Sequence, residues 1–208
     1  MASPKPRPTA ERLLEATIEM LETGPLDAIT TGAVAARVGI SQPAVYRHYA
    51  SLEALLDAAV RTISARFLAF TKESQAQLRR LGPGNLAAST EHFEKTLAHA
   101  FDHAKALGLF FRHRYSDGAL GDAMREAERE MQSTIEEHMR AVAKQMGVCE
   151  SHARKSCRPL AVQILAAVNA TIEATLLGHL NDIRLSAKSL AMQSMALTAV
   201  YFGRSEST

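Results

Sequence analysis

The sequence has 208 residues, of which 47% are hydrophobic and 22% are charged, and its formal net charge at pH 7 is +2. This length suits one large or two small domains, and the apolar share excludes a largely disordered chain. The low net charge excludes a protein that is basic throughout, so nucleic-acid binding would need basic residues concentrated in one place. We find no signal-peptide pattern and no apolar run of membrane-spanning length, so we expect a cytoplasmic protein without a membrane partner.

The apolar residues recur at helical spacing from Thr9 onward. The preceding residues, 1–8, hold prolines at positions 4, 6 and 8. We expect them to form a non-helical arm, which is either a solvated tail or a segment that inserts into the minor groove of DNA. We expect Thr9 to cap a first helix that ends at Gly24. The next three predicted helices begin after residues that favour the N-cap position, which are Thr30, Ser41 and Ser51.

Five further helices are predicted after the break at residues 82–84, which read Gly-Pro-Gly. The seventh has the strongest apolar periodicity, and the eighth is expected to kink or restart at Pro159. No run alternates with a period of two residues, so we predict an all-α protein of about nine helices without a sheet. The predicted ranges of the fifth to ninth helices are 85–107, 109–116, 120–146, 151–180 and 186–202.

Residues 29–56 read ITTGAVAARVGISQPAVYRHYASLEALL and contain no carboxylate before Glu53. Gly39 lies between two short apolar-periodic segments and can adopt a left-handed conformation, which is typical of the turn in a helix-turn-helix. Ala35 leaves room for the two helices to cross, and Val45 would pack back on it. An acidic side chain in this segment would repel a nearby phosphate, so the absence of acids predicts a DNA-contacting surface.

The start of the third helix is expected to enter the major groove of DNA. Gln42 can pair with adenine, and Arg47 can reach guanine or a phosphate, while Pro43 and Ala44 can contact a thymine methyl group. The remaining polar side chains can hold phosphates, which fixes the register of the protein on the duplex. The full predicted DNA-binding set is Thr30, Thr31, Ser41, Gln42, Pro43, Ala44, Tyr46, Arg47, His48 and Tyr49.

The stretch TTGAVAARVGISQPAVYRHY, followed by ASLEALLDA, resembles the DNA-binding domain of the tetracycline-repressor (TetR) family. The resemblance covers about the first quarter of the chain. It implies a first helix, RLLEATIEML, that braces the motif, and a homodimer built by the last two helices. Two positions depart from the family pattern: Leu52 stands where a lysine usually holds a phosphate, and Gly32 stands where a polar or basic residue is common.

The last two predicted helices are apolar on more than one face, which suits a four-helix dimer interface, although burial of both within one subunit would give the same pattern. A dimer would present two recognition helices to a two-fold-symmetric operator in double-stranded DNA. We therefore divide the chain into an arm and helix-turn-helix domain, residues 1–50, and an effector-binding and dimerisation domain, residues 51–208.

The middle helices carry aromatic residues and methionines at helical spacing, which fit either a plain core or a pocket for an apolar or aromatic effector. His92, His99 and His103 share one helical face, but His92 and His99 lie about 10 Å apart along the axis, so we predict no metal site and no cofactor. The predicted effector-binding residues are Phe67, Phe70, Phe93, His99, Phe101, His103, Phe110, Phe111, Met124 and Met131.

These observations favour a ligand-responsive DNA-binding transcriptional regulator, a repressor that a small effector releases from a palindromic operator. The alternatives are an all-helical enzyme and a helical adaptor that binds only protein. An enzyme is not expected, because the sequence lacks G-x-S-x-G, H-E-x-x-H and a phosphate-binding glycine loop. An adaptor leaves the acid-free segment unexplained.

Overall fold

The computed structural model describes residues 8–203, so the predicted arm over residues 1–8 lies outside the described residues except for Pro8. Within this range the chain forms nine α-helices and a single 3-10 turn at Leu26–Ala28, without a strand, which confirms the all-α prediction. The helices are α1 (Thr9–Thr23), α2 (Thr31–Val38), α3 (Gln42–Val45), α4 (Leu52–Arg80), α5 (Leu86–Asp102), α6 (Ala104–His113), α7 (Ala119–Gln145), α8 (Glu150–Leu176) and α9 (Ile183–Phe202).

The described residues form two compact units. The first unit comprises the chain up to Ala65 together with His103–Ala127, and the second comprises Arg66–Asp102 together with the chain from Glu128 onward. Helices α4 and α7 each contribute residues to both units. The predicted domain boundary at residue 50 stays a prediction.

The first unit is organised around fully buried apolar side chains from several helices. Leu13 of α1, Val34 of α2, Val45 of α3, Leu55 of α4 and Met124 of α7 are each at most 1% exposed. Truncating such a side chain to alanine typically costs about 2–5 kcal/mol, since it removes apolar contact and leaves a cavity. This shared core fixes α3, a helix too short to be stable alone.

The second unit has an apolar core of its own, built from α7, α8 and α9. Its buried members include Ile135, Met139, Cys157, Leu160 and Phe202. Helix α5 packs along α9 and also contacts α8. The amphipathic pattern that predicted these long helices therefore reflects a core that α7, α8 and α9 share.

Several helix ends are fixed by local interactions that the sequence predicts correctly. The Thr30 hydroxyl accepts a hydrogen bond from the Ala33 amide at 3.1 Å, and the Ser51 hydroxyl accepts one from the Ala54 amide at 3.1 Å. Gly39 has φ 74° and ends α2 in the left-handed conformation. Thr9, by contrast, is the first helical residue and Pro8 occupies the cap position, because proline suits a site whose amide has no helical partner.

The predicted boundary between the fifth and sixth helices is wrong. The sequence favours a break near residue 108, but α5 ends at Asp102 and α6 begins at Ala104. The break lies where the chain passes from the second unit into the first, at His103. The His103 Nδ1 atom lies 2.8 Å from a carboxylate oxygen of Glu22. This partner is 81 residues distant, so local periodicity carries no trace of it.

Helix α8 is continuous through Pro159, contrary to the predicted kink or restart. Its exposed proline leaves one backbone carbonyl unpaired at the surface, which water can satisfy. The helix ends at Leu176, before Gly178 with φ 76°, rather than at residue 180. Helix α9 begins at Ile183, earlier than predicted, because the Asp182 carboxylate accepts a hydrogen bond from the Leu185 amide at 2.9 Å.

Candidate nucleic-acid interface

The turn between α2 and α3 is held by backbone hydrogen bonds that only a left-handed residue allows. The Gly39 amide donates to the Ala36 carbonyl at 3.2 Å, and the Ile40 amide donates to the Ala35 carbonyl at 3.0 Å. This pattern closes the end of α2 and redirects the chain into α3. Ala35 and Val45, 2% and 1% exposed, are both buried in the core beneath the turn.

The recognition helix is shorter than the segment 41–49 that the sequence suggests. Regular α-helix covers only Gln42–Val45, and the next three residues continue as turns, with His48 donating its amide to the Val45 carbonyl at 2.9 Å. Ser41 occupies the N-cap position, but its hydroxyl makes no capping hydrogen bond. The helix is short because a single helical turn without a capping hydrogen bond propagates weakly.

Three of the four side chains predicted to contact bases, Gln42, Pro43 and Arg47, are exposed, whereas Ala44 is half-buried. His48, predicted to hold a phosphate, is also exposed. Within residues 8–203 no ion pair engages Arg47, and the nearest carboxylates in sequence are Asp27 and Glu53. An arginine without an ion pair can bind a phosphate or a guanine without first breaking an internal salt bridge.

Gly32 lies beside the Gln42 carboxamide. A Cβ atom added at Gly32 would lie 3.7 Å from Gln42 Oε1 and 3.9 Å from Thr30 Oγ1, which are ordinary van der Waals distances. The side chain of Gln42 therefore rests near the first turn of α2. This departure from the family pattern removes a possible phosphate contact but leaves the recognition residue unobstructed.

Two tyrosines of the predicted site differ in their surroundings. Tyr46 is 51% exposed, and its hydroxyl lies 3.5 Å from that of the buried Thr31, which leaves it accessible to a phosphate. Tyr49 is half-buried and donates its hydroxyl to the Ala10 carbonyl at 3.3 Å, and burial raises its pKa. Tyr49 therefore ties the end of the motif to α1.

Helix α1 braces the motif through two arginine contacts that sequence reasoning missed. Arg12 donates to the Val38 carbonyl at 2.5 Å, at the end of α2. Arg37 forms a two-pronged salt bridge with Glu19 on α1, at 2.5 and 3.2 Å. Both pairs are separated widely in sequence, so only folding reveals that these arginines have structural rather than DNA-contacting partners.

Comparison with known proteins places this motif in a family. Residues 13–59 match the family model described as "Bacterial regulatory proteins, tetR family". That match spans α1, α2, α3 and the start of α4, which are the helices that build and brace the exposed surface. Over these residues the chain is similar to the TetR family. A match to regulatory proteins agrees with the prediction that the chain is not an enzyme.

Curated relatives match this chain over part of its length. Nucleoid occlusion factor SlmA from Shewanella loihica is 37% identical over 83 residues, which are 38% of this chain and 42% of that protein. The counterpart from a Marinomonas species is 28% identical over 116 residues, covering 44% of this chain and 59% of that protein. This chain thus spans less than two thirds of the curated relatives that it matches.

Solved structures are similar to this chain over most of its length. A protein from Mesorhizobium loti, described as a TetR-family transcriptional regulator, has a TM-score of 0.73 at 13% identity, covering 91% of this chain and 96% of its own. A TetR-family transcriptional regulator from Streptomyces coelicolor has a TM-score of 0.69 at 15% identity, covering 93% of this chain and 82% of its own. At these identities the likeness concerns the fold alone.

The predicted effector-binding residues are divided between the two units. Phe67, Phe70, Phe93, His99, Phe101 and Met131 lie in the second unit, whereas His103, Phe110, Phe111 and Met124 lie in the first. In the second unit the His99 ring stacks on Phe67 and Phe70, at centroid distances of 5.3 and 4.2 Å. Phe93 is buried, and Phe101 and Met131 are half-buried.

The first-unit members of this set have structural surroundings. Met124 is 1% exposed and belongs to the core, and His103 contacts Glu22 at the start of α6. Phe110 and Phe111 meet edge to face at 5.4 Å, and the Arg114 guanidinium lies over both rings. Their assignment to an effector site stays a prediction. Within the described range no group of three or more histidine, cysteine or acidic residues is arranged to hold a metal ion.

Sequence reasoning missed a polar cluster in the second unit. Ser74 Oγ lies 2.6 Å from His92 Nδ1, and Arg79 donates to His138 Nδ1 at 3.1 Å. We call Ser74, Arg79, His92 and His138 the histidine cluster; Ser74 and His138 are buried, and Arg79 and His92 are half-buried. The sequence did hint at this cluster, because Ser74 and His138 stand among apolar residues on the inner faces of α4 and α7. Isolated polar residues of this kind are common at the edges of amphipathic helices, however, so they do not predict a cluster by themselves.

Acid is expected to destabilise the second unit through this cluster. Burial lowers the pKa of His92 to about 4 and of His138 to about 3, with Lys95 contributing for His92, and His92 and Arg79 for His138. An unfolded histidine titrates near pH 6.5, so between that pH and about pH 4 the unfolded chain binds more protons and stability falls as the pH falls. His92 alone accounts for about 3 kcal/mol over this interval.

Chemical denaturation at a series of pH values measures this loss. The variant combining His92→Gln and His138→Gln should lose much less stability than the natural chain between about pH 6.5 and about pH 5, the interval above most carboxylate titration. His179→Gln, at an exposed site, should keep the natural slope. Equal slopes for all three proteins would contradict the assignment.

Proposed function

We propose that this protein is a homodimeric DNA-binding transcriptional regulator of the cytoplasm, a repressor that a small apolar or aromatic effector releases from a palindromic operator. The observation that carries the proposal is that Gln42, at the start of α3, and Arg47, in the turn after it, face solvent within a segment that holds no acidic residue. The curated relatives are named as nucleoid occlusion factors, but their match covers under half of this chain, so it carries no role for the remainder.

The DNA-binding residues divide into two roles. Gln42 and Arg47 read base edges in the major groove, because their carboxamide and guanidinium groups match adenine and guanine. Thr30, Tyr46 and His48 hold phosphates, which sets the register and adds affinity on every sequence. The αL turn at Gly39 and the buried Val45 keep α3 at a fixed angle to α2, so the recognition residues need little reordering when DNA binds.

Dimerisation through α8 and α9 is supported by apolar side chains that no described residue covers. Both helices turn one face to the second-unit core and leave another in solvent, and α8 is, by length and composition alone, apolar enough to cross a membrane. A second copy of the chain would cover such a face in a two-fold arrangement. The exposed apolar residues of this region are Val162, Leu177, Leu180, Ile183, Leu185, Met192 and Val200.

Release by an effector follows from a shift between two populations of the dimer. The effector binds better to a form whose recognition helices are spaced wrongly for the operator, so the operator and the effector weaken each other's binding by the same factor. Helix α4 begins in the first unit and continues into the second, which makes it the element through which we expect the coupling to act.

Leu52→Lys should strengthen DNA binding and make it more sensitive to salt. Leu52 is the first residue of α4, where a lysine would meet a phosphate. Each added phosphate contact steepens the slope of log affinity against log salt by about 0.9, so a dimer gains about 1.8. Fluorescence anisotropy over a salt series measures the slope. Leu52→Gln is the uncharged control, and an unchanged slope for the lysine variant would place this residue away from the phosphates.

A gel-shift experiment tests the function itself. The purified protein is mixed at low salt with DNA from upstream of its own gene and with a duplex of the same composition in scrambled order. We expect retardation of the natural duplex at concentrations at least about tenfold below those that retard the scrambled one. Equal retardation of both, or none, would argue against a sequence-specific regulator.

A further inference from the structure

The second unit concentrates buried polar side chains where α4, α5 and α7 meet. Of the ten polar residues that are buried among the described residues, six lie on these helices within this unit: Thr71, Ser74, Gln75, Thr96, Thr134 and His138. Two of them, Thr71 and Thr96, donate hydrogen bonds from their hydroxyls to backbone carbonyls of their own helices. Burying the others costs more than an apolar core of equal volume. Such a concentration of buried polar groups indicates a ligand-binding site.

The protonation state of His138 follows from its partner. A guanidinium only donates, so the His138 Nδ1 atom that faces Arg79 is an acceptor, and the ring carries its proton on Nε2. His92 likewise engages Ser74 through Nδ1. Within residues 8–203 neither ring has a hydrogen bond through Nε2, so both rings retain a polar atom for a further partner.

The charges around the two rings are positive. Lys95 on α5 acts on His92, and Arg79 on α4 acts on His138, and each disfavours protonation of its ring. Lys95 is paired with Glu91 at the surface, but among the groups that act on these two imidazoles none is a carboxylate. An anionic group would therefore supply the counter-charge that the cluster lacks.

An aromatic surface continues from this cluster along the α4–α5 interface. On α5, His99 lies two turns beyond His92, about 10 Å along the axis. On α4, Phe67 and Phe70 stack against His99, two turns and one turn before Ser74. The two helices are thus antiparallel here. We call the surface that runs from the aromatic rings of Phe67, Phe70 and His99 to the hydrogen-bonding groups of the histidine cluster the α4–α5 strip.

We propose that this strip binds an aromatic carboxylate, with the carboxylate accepting hydrogen bonds from His92, His138 and Arg79 and the ring lying against Phe67, Phe70 and His99. The inference rests on the effector-binding role proposed above and gives the ligand of that role a chemical class. It goes beyond the predicted residues, since none of Ser74, Arg79, His92 and His138 belongs to that set.

Binding of a carboxylate at this site should be accompanied by proton uptake by the imidazoles. A bound carboxylate stabilises the charged form of each imidazole, so it raises the pKa of His92 and His138 above their values in the free protein. Binding is then linked to protonation, and affinity should rise as the pH falls through the raised pKa of these imidazoles in the complex. A neutral aromatic ligand would show neither effect.

Isothermal titration calorimetry with the full chain tests the inference, using 2-naphthoate, 2-naphthamide and 2-naphthol as probes of equal ring size. We expect 2-naphthoate to bind at least about tenfold more tightly than either neutral probe. Its heat should depend on the ionisation enthalpy of the buffer, which reports proton uptake. His92→Gln combined with His138→Gln should remove both the preference and the buffer dependence, and the exposed control His179→Gln should keep both.

Equal affinity for all three probes, or tighter binding of a neutral one, would overturn the inference, as would uptake that persists in the double variant. A gel shift of the upstream DNA on the same samples separates this result from the function. DNA release by a neutral probe without binding of 2-naphthoate refutes only the ligand class. Selective binding of 2-naphthoate without DNA retardation supports the site and refutes the regulator.

Discussion

Arg47→Ala is expected to lower the affinity of the dimer for its operator by about a hundredfold or more, while affinity for unrelated DNA falls far less. The exposed guanidinium has no ion pair within the described part of the chain, so its loss removes DNA contacts and no internal bond. A bidentate contact with guanine contributes about 1–3 kcal/mol of discrimination, and the dimer makes it twice. Fluorescence anisotropy on operator and scrambled duplexes measures both affinities.

The matched control for this experiment is Arg154→Ala. Arg154 is an exposed arginine of α8 that pairs with Glu150 at 3.0 Å, so its replacement removes the same charge from the second unit. We expect its operator affinity to stay within about threefold of the natural value. If Arg47→Ala weakened binding equally on both duplexes, Arg47 would be a phosphate contact, and the base-reading role would pass to Gln42.

The DNA-binding surface could be predicted from the sequence because local interactions specify it. The cap at Thr30, the left-handed turn at Gly39 and the cap at Ser51 each act over three or four residues. The inward position of Val45 follows from the same spacing. When the determinants of a motif lie within one short segment, residue types and intervals are sufficient to place its exposed side chains.

The helix boundaries that were predicted wrongly depend on residues distant in sequence. The break at His103 lies where the chain changes units, and its ring meets Glu22 on α1. Periodicity favoured Gly108 as the break, but this glycine lies within α6 next to the buried Leu109. Tertiary contacts determine the boundary between α5 and α6, and such contacts cannot be predicted from local periodicity in a single sequence.

The second unit illustrates a different limit. Aromatic residues at helical spacing predict an apolar interior equally well whether it is a core or a ligand site. Ser74, His92 and His138 lie on three helices, and each by itself resembles a polar residue at the edge of an amphipathic face. Their meeting depends on how α4, α5 and α7 pack within the unit, so the chemistry of the site emerges only in three dimensions.

A double variant of α9, Met192→Glu with Val200→Glu, is expected to give a monomer and to lower operator affinity by more than about a hundredfold. These two side chains are 54% and 61% exposed, whereas Leu190 and Ala191 on the same helix are buried in the second unit. In a two-fold interface each glutamate occurs twice, and burying an unpaired carboxylate costs several kcal/mol. The second-unit core keeps its contacts, so the fold should persist.

Sedimentation equilibrium measures the mass, circular dichroism checks helix content, and anisotropy measures binding to a full operator and to a half-site. The control is Met146→Glu, which places one glutamate at another exposed methionine of the second unit, outside α8 and α9. The α9 variant should bind a half-site as weakly as the natural chain does, because its first unit is unaltered. A dimer that survives both glutamates would place the interface on another surface and leave the apolar face of α9 to a different partner.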